Sequence, residues 1–100
     1  MAIDIAHCTA AGLGVSGTTT FTRAEVDIQA RDNLGNPVLV GGQVWDISVN
    51  GVVLGYTDNG DGTYTVPGYI TSKAGNYTLS ITAGAVNIIN SPFTVPFTTI

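Results

Sequence analysis

The chain has one cysteine and one histidine among its 100 residues. A single thiol excludes an intrachain disulfide, and a lone imidazole excludes a histidine-rich metal site. No cofactor and no metal centre is therefore expected, and the core has to hold by packing alone. Charge is scarce as well: charged residues make up 10% of the chain, against about a quarter in ordinary soluble domains. The three cations, Arg23, Arg31 and Lys73, are scattered and stand against seven carboxylates, for a formal net charge of -4. That balance excludes a nucleic-acid footprint and an anionic-membrane surface as partners. No apolar run approaches a membrane span, and residues 1–11 carry Asp4 and His7 without a basic head or a continuous apolar segment. Neither membrane insertion nor a targeting address is expected. A chain this short supports one core, so residues 1–100 read as a single domain and a two-domain enzyme is excluded.

In place of charge the chain has 13 glycines and fourteen threonines, which fit polar, uncharged outer faces of an all-β protein. Apolar and polar residues alternate with a period of two in short blocks, the pattern of half-buried strands. In residues 21–32, Ala24, Val26, Ile28 and Ala30 alternate with Arg23, Glu25, Asp27 and Gln29. In residues 43–50, Trp45, Ile47 and Val49 alternate with Val44, Asp46 and Ser48, and in residues 76–82 Tyr77, Leu79 and Ile81 alternate with Thr78 and Ser80. Further strands are expected over residues 2–8, 52–57, 63–70 and 85–97, the last interrupted by Pro92. Turn residues separate the blocks, among them Asn50-Gly51, where both positions tolerate positive φ as a tight hairpin requires. Seven short strands at this spacing predict a seven-stranded antiparallel immunoglobulin-like β-sandwich. The Cys, Trp, Cys signature of antibody domains is missing.

The residues that could carry chemistry have plainer structural roles. Asp58, Asn59, Gly60, Asp61 and Gly62 put two carboxylates among glycines, but no Glu follows Glu25 to close a calcium loop. The segment reads as a structural turn. His7 beside Cys8 resembles an activated thiol, yet neighbours on a strand point to opposite faces, so Cys8 reads as a small buried hydrophobe and His7 as a surface residue. Trp45 shares parity with Ile47 and Val49 and reads as core. Asn76, Tyr77 and Thr78 form a glycosylation sequon that matters only in a secreted chain. No paired carboxylates, phosphate cradle or nucleophile set stands out, so no catalytic residue is expected and the chain does not read as an enzyme.

Residues 58–66 (AspAsnGlyAspGlyThrTyrThrVal), 74–81 (AlaGlyAsnTyrThrLeuSerIle) and 91–95 (SerProPheThrVal) occur in an order and spacing that closely resemble the filamin-type immunoglobulin repeat. AlaGlyLeu at 11–13, AlaArgAspAsnLeuGlyAsn at 30–36 and GlyGly at 41–42 agree with it. The resemblance covers about residues 6–95. Val66, Pro67, Gly68 and Tyr69 carry one residue more than the family pattern, which predicts a bulge or break at Pro67.

The resemblance implies a non-catalytic repeat of a cytoplasmic, cytoskeletal actin-crosslinking rod, with actin bound only through a separate domain outside these residues. It implies protein partners: neighbouring repeats, or extended peptides that add beside the third strand and lay alternate side chains over the groove between strands three and four. Carried over by position, that groove is lined by Val44, Asp46 and Ser48 on strand three, with Leu54 and Tyr56 on strand four as an apolar floor. Strong peptide binders of the family carry small uncharged residues where Val44 and Asp46 stand. An apolar partner would desolvate Asp46 at a cost of order 1 to 3 kcal/mol, so the spacer role gains over peptide binding; a dimerising role by strand augmentation is implied as well. The alternative reading is an extracellular adhesion or surface-array module, which the charge-poor, Thr-rich surface and the sequon at Asn76 favour.

Overall fold

The computed structural model describes residues 3–99. The described strands, in chain order, are β1 (Thr9–Ala11), β2 (Thr18–Thr19), β3 (Ala24–Gln29), β4 (Asp46–Val49), β5 (Val52–Val53), β6 (Thr57–Asp58), β7 (Thr63–Tyr69), β8 (Gly75–Ala83), β9 (Val86–Asn87) and β10 (Phe93–Thr98), with one helical turn, α1 (Leu13–Ser16). They form two sheets, one ordered β1-β3-β7-β6 and the other β2-β10-β8-β4-β5, with β9 paired to β8. This is the expected immunoglobulin-like sandwich, cut into more and shorter strands than the sequence implied.

Alternation explains the layers. In β3 burial alternates residue by residue, with Ala24, Val26 and Ile28 at 1% exposure or less. Trp45, Ile47 and Val49 face the same core from the opposite sheet, together with Leu79, Ile81, Val95 and Phe97. Tyr64 closes the space between the layers: its ring meets Trp45 edge-on at 5.6 Å and Tyr56 at 6.1 Å, an arrangement that aligns ring edges with ring faces. Tyr77, read from the sequence as a core residue like its neighbours, is only half-buried, its hydroxyl donating to Lys73 O at 2.7 Å and its ring lying edge-on to Phe97.

Three expectations about strand boundaries are corrected. The first strand, expected over residues 2–8, begins at Thr9, because Ile5–His7 form a 3-10 turn whose start is capped by the Asp4 side chain accepting from Ala6 N; Ala2 lies outside the described residues. The block 52–57 splits between sheets, β5 pairing with β4 and β6 pairing with β7. The block 85–97 folds back as β9 before β10 starts, with a cis peptide bond between Ser91 and Pro92. The bulge expected at Pro67 is present: Ala24 pairs with Tyr69 and Val26 with Val66, so β7 carries one extra residue, and Gly68 takes up the bend at φ 113°. The sequence marked neither the helical turn α1 nor β2, which runs parallel to β10.

Candidate partner-docking edge

Strand β4 pairs with β8 on one side, Ile47 opposite Ile81 and Ser48 opposite Ser80. Asn50 donates to Thr78 O at 2.9 Å, which turns the backbone groups of Trp45, Ile47 and Val49 toward the other side, the edge a partner strand would meet. The chain's own next segment already lies there. Asn50 and Gly51 adopt φ of 49° and 83° and reverse the chain so that Ser48 faces Val53 and Val49 faces Val52. Leu54 N–H then donates to Ile47 O at 2.8 Å. Two residues on, the Tyr56 hydroxyl accepts the Trp45 N–H at 3.0 Å. The sequence reading missed both bonds; Tyr56 alternating with Leu54 across Gly55 was the available signal.

The predicted groove residues divide into two groups. Val44, 72% exposed, and Asp46 point to solvent, and Ser48 is half-buried beside them. Leu54 and Tyr56 lie on the crossing between β5 and β6 and pack against the core. Both hold the β4 edge through their bonds to Ile47 O and the Trp45 N–H.

Elsewhere the polar groups serve the fold. The Asp58 carboxylate accepts from Gly42 N at 2.7 Å and Gly60 N at 2.9 Å, and Asp61 accepts from the Thr63 N–H and hydroxyl, so the 58–62 segment is the structural turn its glycines implied. The Thr63 bonds hold the Asp61 pKa below the usual carboxylate value. At Asp32 burial acts in the opposite sense, but the N–H groups of Asn36 and Leu34 together outweigh it and lower the pKa. Cys8 is fully buried, and that burial pushes its thiol pKa up. His7 instead lies beside Asp4, Nδ1 3.1 Å from Oδ2, so the adjacent thiol and imidazole diverge. Burial raises Tyr69 to about 12, and its hydroxyl donates to Gly14 O at 2.9 Å. No helix among the described residues is long and apolar enough to cross a membrane.

Comparison with known proteins agrees with this architecture. Filamin-C of Rattus norvegicus and Filamin-C of Mus musculus are each 37% identical to the chain over 84 residues. That stretch is 84% of this chain and 3% of either relative, so the chain matches a small part of a much longer protein. The solved Lin-41 filamin domain aligns with a TM-score of 0.72 at 18% identity, covering 97% of both chains, a likeness of fold. The family model for the Filamin/ABP280 repeat matches residues 2–94. With the sandwich and the ordered motifs already in place, the chain belongs to the Filamin/ABP280 repeat family.

Proposed function

We propose that the chain is a non-catalytic spacer repeat of a filamin-like, cytoskeletal actin-crosslinking rod, and that its β4 edge accepts an extended peptide only after residues 52–56 let go. The observation that carries this reading is the closed edge: Leu54 N–H on Ile47 O and Trp45 N–H on the Tyr56 hydroxyl. A peptide taking that place breaks two hydrogen bonds worth about 1 kcal/mol each. It also lifts Leu54 and Tyr56 off the core, at about 1 kcal/mol each for partial burial. The sum of about 4 kcal/mol lowers affinity roughly a thousandfold. Exposed Asp46 beside the edge adds to the barrier for an apolar partner. Dimerisation through the last strand has less support, since β2 pairs with Phe97 and Thr98 and Pro96 lacks an N–H.

The test is an amide-shift titration with extended peptides of alternating apolar residues. Wild-type chain is expected to bind no tighter than about 100 μM, and Val52→Gly with Val53→Gly, which loosens the hairpin, to bind at least about tenfold tighter. Binding by wild type below about 1 μM overturns the closed-edge reading. The exposed position of Asn76 favours the extracellular module as a second reading; secretion through a glycosylating pathway with no mass gain at Asn76 sinks it.

A further inference from the structure

Beside the β4–β5 hairpin lies a recess of about 310 Å³ that neither the core packing nor the closed edge accounts for. Val49, Val52 and Leu54 wall it from the hairpin, and Tyr69, Ile70 and Tyr77 from the link between β7 and β8. A closed apolar cavity of about 150 Å³ already holds a benzene, and ligand pockets begin at about 300 Å³. The recess therefore has room for one ring with a short substituent.

Two features narrow what fits. None of the lining residues is charged, so an ion entering the recess loses hydration without meeting an opposite charge in the wall. Most of the polar groups there are already engaged. Asn50 Oδ1 accepts the Thr78 N–H at 2.8 Å, the Tyr69 hydroxyl donates to Gly14 O and the Tyr77 hydroxyl to Lys73 O. Thr71 differs: it lines the recess at 7% exposure, and its hydroxyl has no hydrogen-bond partner among the described residues. A turn of Thr71 about χ1 breaks no bond and brings that hydroxyl to whatever fills the space. A flat, uncharged ring with one hydroxyl answers both features, its faces on apolar and aromatic walls and its oxygen on Thr71.

The same wall contains part of the edge closure. Val52 and Leu54 stand in it while Val52 pairs with Val49 and Leu54 N–H donates to Ile47 O. We propose that the recess binds a small uncharged aromatic alcohol of the phenol class through the Thr71 hydroxyl, and that the bound ligand locks the β4 edge shut. The locking rests on the closed-edge reading, whereas the binding does not. A ligand that needs the seated segment disfavours its release by the factor 1 + [ligand]/Kd, and weakens a peptide at the edge by the same factor.

Phenol is the probe, neutral at pH 7 because its pKa lies near 10. Amide shifts at Val52, Leu54 and residues 70–72 should saturate with a Kd of order 1 mM. Thr71→Val keeps the shape without the hydroxyl: it should weaken phenol at least about fivefold and change toluene, which has no hydroxyl, less than about twofold. Should that variant lose a folded spectrum, Ser72→Phe, at an exposed position on the lining, replaces it and should abolish binding of both probes. Benzoate should bind at least about tenfold more weakly than phenol. At ten times its Kd, phenol should slow exchange of the Leu54 amide about tenfold, while the Gly42 and Gly60 amides, bonded to Asp58 beyond the far end of β7, stay unchanged. Absence of saturable shifts at the recess, equal losses of phenol and toluene in Thr71→Val, binding retained in Ser72→Phe, or benzoate binding tighter than phenol overturns the site. Unchanged Leu54 exchange with phenol bound overturns the lock. A Leu54 amide that is unprotected before phenol is added sinks the closed-edge reading instead, and the shifts at the recess still report the site by themselves.

Discussion

Tyr64 ties the two layers together at a single side chain, 1% exposed, with its hydroxyl accepting the Gln43 N–H at 3.0 Å. Tyr64→Ala is expected to destabilise the fold by about 3–5 kcal/mol in urea denaturation, while Asp46→Ala, on an exposed position, should stay within about 0.5 kcal/mol. Tyr77→Ala should fall between them at about 2 kcal/mol, because part of that ring already faces water. Parity in the sequence put Tyr77 on the correct face of its strand but could not tell that the end of β8 lies where the sandwich opens. Two groups of side chains set the pH limits. Asp32 and Asp61 have lowered pKa values, so the stability they lend is present above about pH 4, the unfolded carboxylate value, and is lost as pH falls through their lower folded values. Tyr69, raised to about 12, is held neutral in the fold, so stability is present below about pH 10 and is lost as pH climbs toward 12. Melting temperature followed across pH should show both shoulders, and Tyr69→Phe should lessen the alkaline one, to which the buried Cys8 thiol and Tyr64 hydroxyl, also raised by burial, contribute the rest.

Short elements are where the sequence was least legible. Alternation across residues 52–57 placed Leu54 and Tyr56 on one side, but a period of two does not say to which sheet each half pairs, and the segment divides between both. At the chain's start the same alternation implied a strand, whereas Asp4 offers its carboxylate to the backbone of Ala6 and turns residues 5–7 into a 3-10 turn. The motif at Pro67 was readable because an inserted residue in a paired strand has to bulge. Glycines sort in the same way by what surrounds them. Gly62, at φ 92°, leaves no room for a Cβ against Val38 O, while Gly35, at φ 82°, faces open space. Gly35→Ala is expected to cost about 1 kcal/mol for its backbone conformation alone. Gly62→Ala should exceed about 3 kcal/mol, since the 58–62 turn must part from Val38 and Leu39 to admit it. Thermal melts of the two variants check the difference, and equal shifts would contradict the packing of 58–62 under 38–39.

At the scale of the whole molecule, the fold and its family were legible because the ordered motifs carry the hairpins and the inward residues together. The state of the docking edge was not. Val44, Asp46, Ser48, Leu54 and Tyr56 were named by position, but of the two bonds that close the edge one joins the Leu54 amide to Ile47 O and the other joins the Trp45 amide to a tyrosine hydroxyl eleven residues away, and both depend on how the chain crosses between sheets. On the proposed reading, that closure favours a spacer over a peptide receptor. Native-state amide hydrogen exchange at Leu54 and Trp45 tests it most directly. With residues 52–56 seated on β4, both amides are expected to exchange on the order of a hundredfold or more slower than in an unstructured peptide. Exchange of both at unprotected rates, with the β3 and β7 amides still slow, would show the edge standing open and contradict the account.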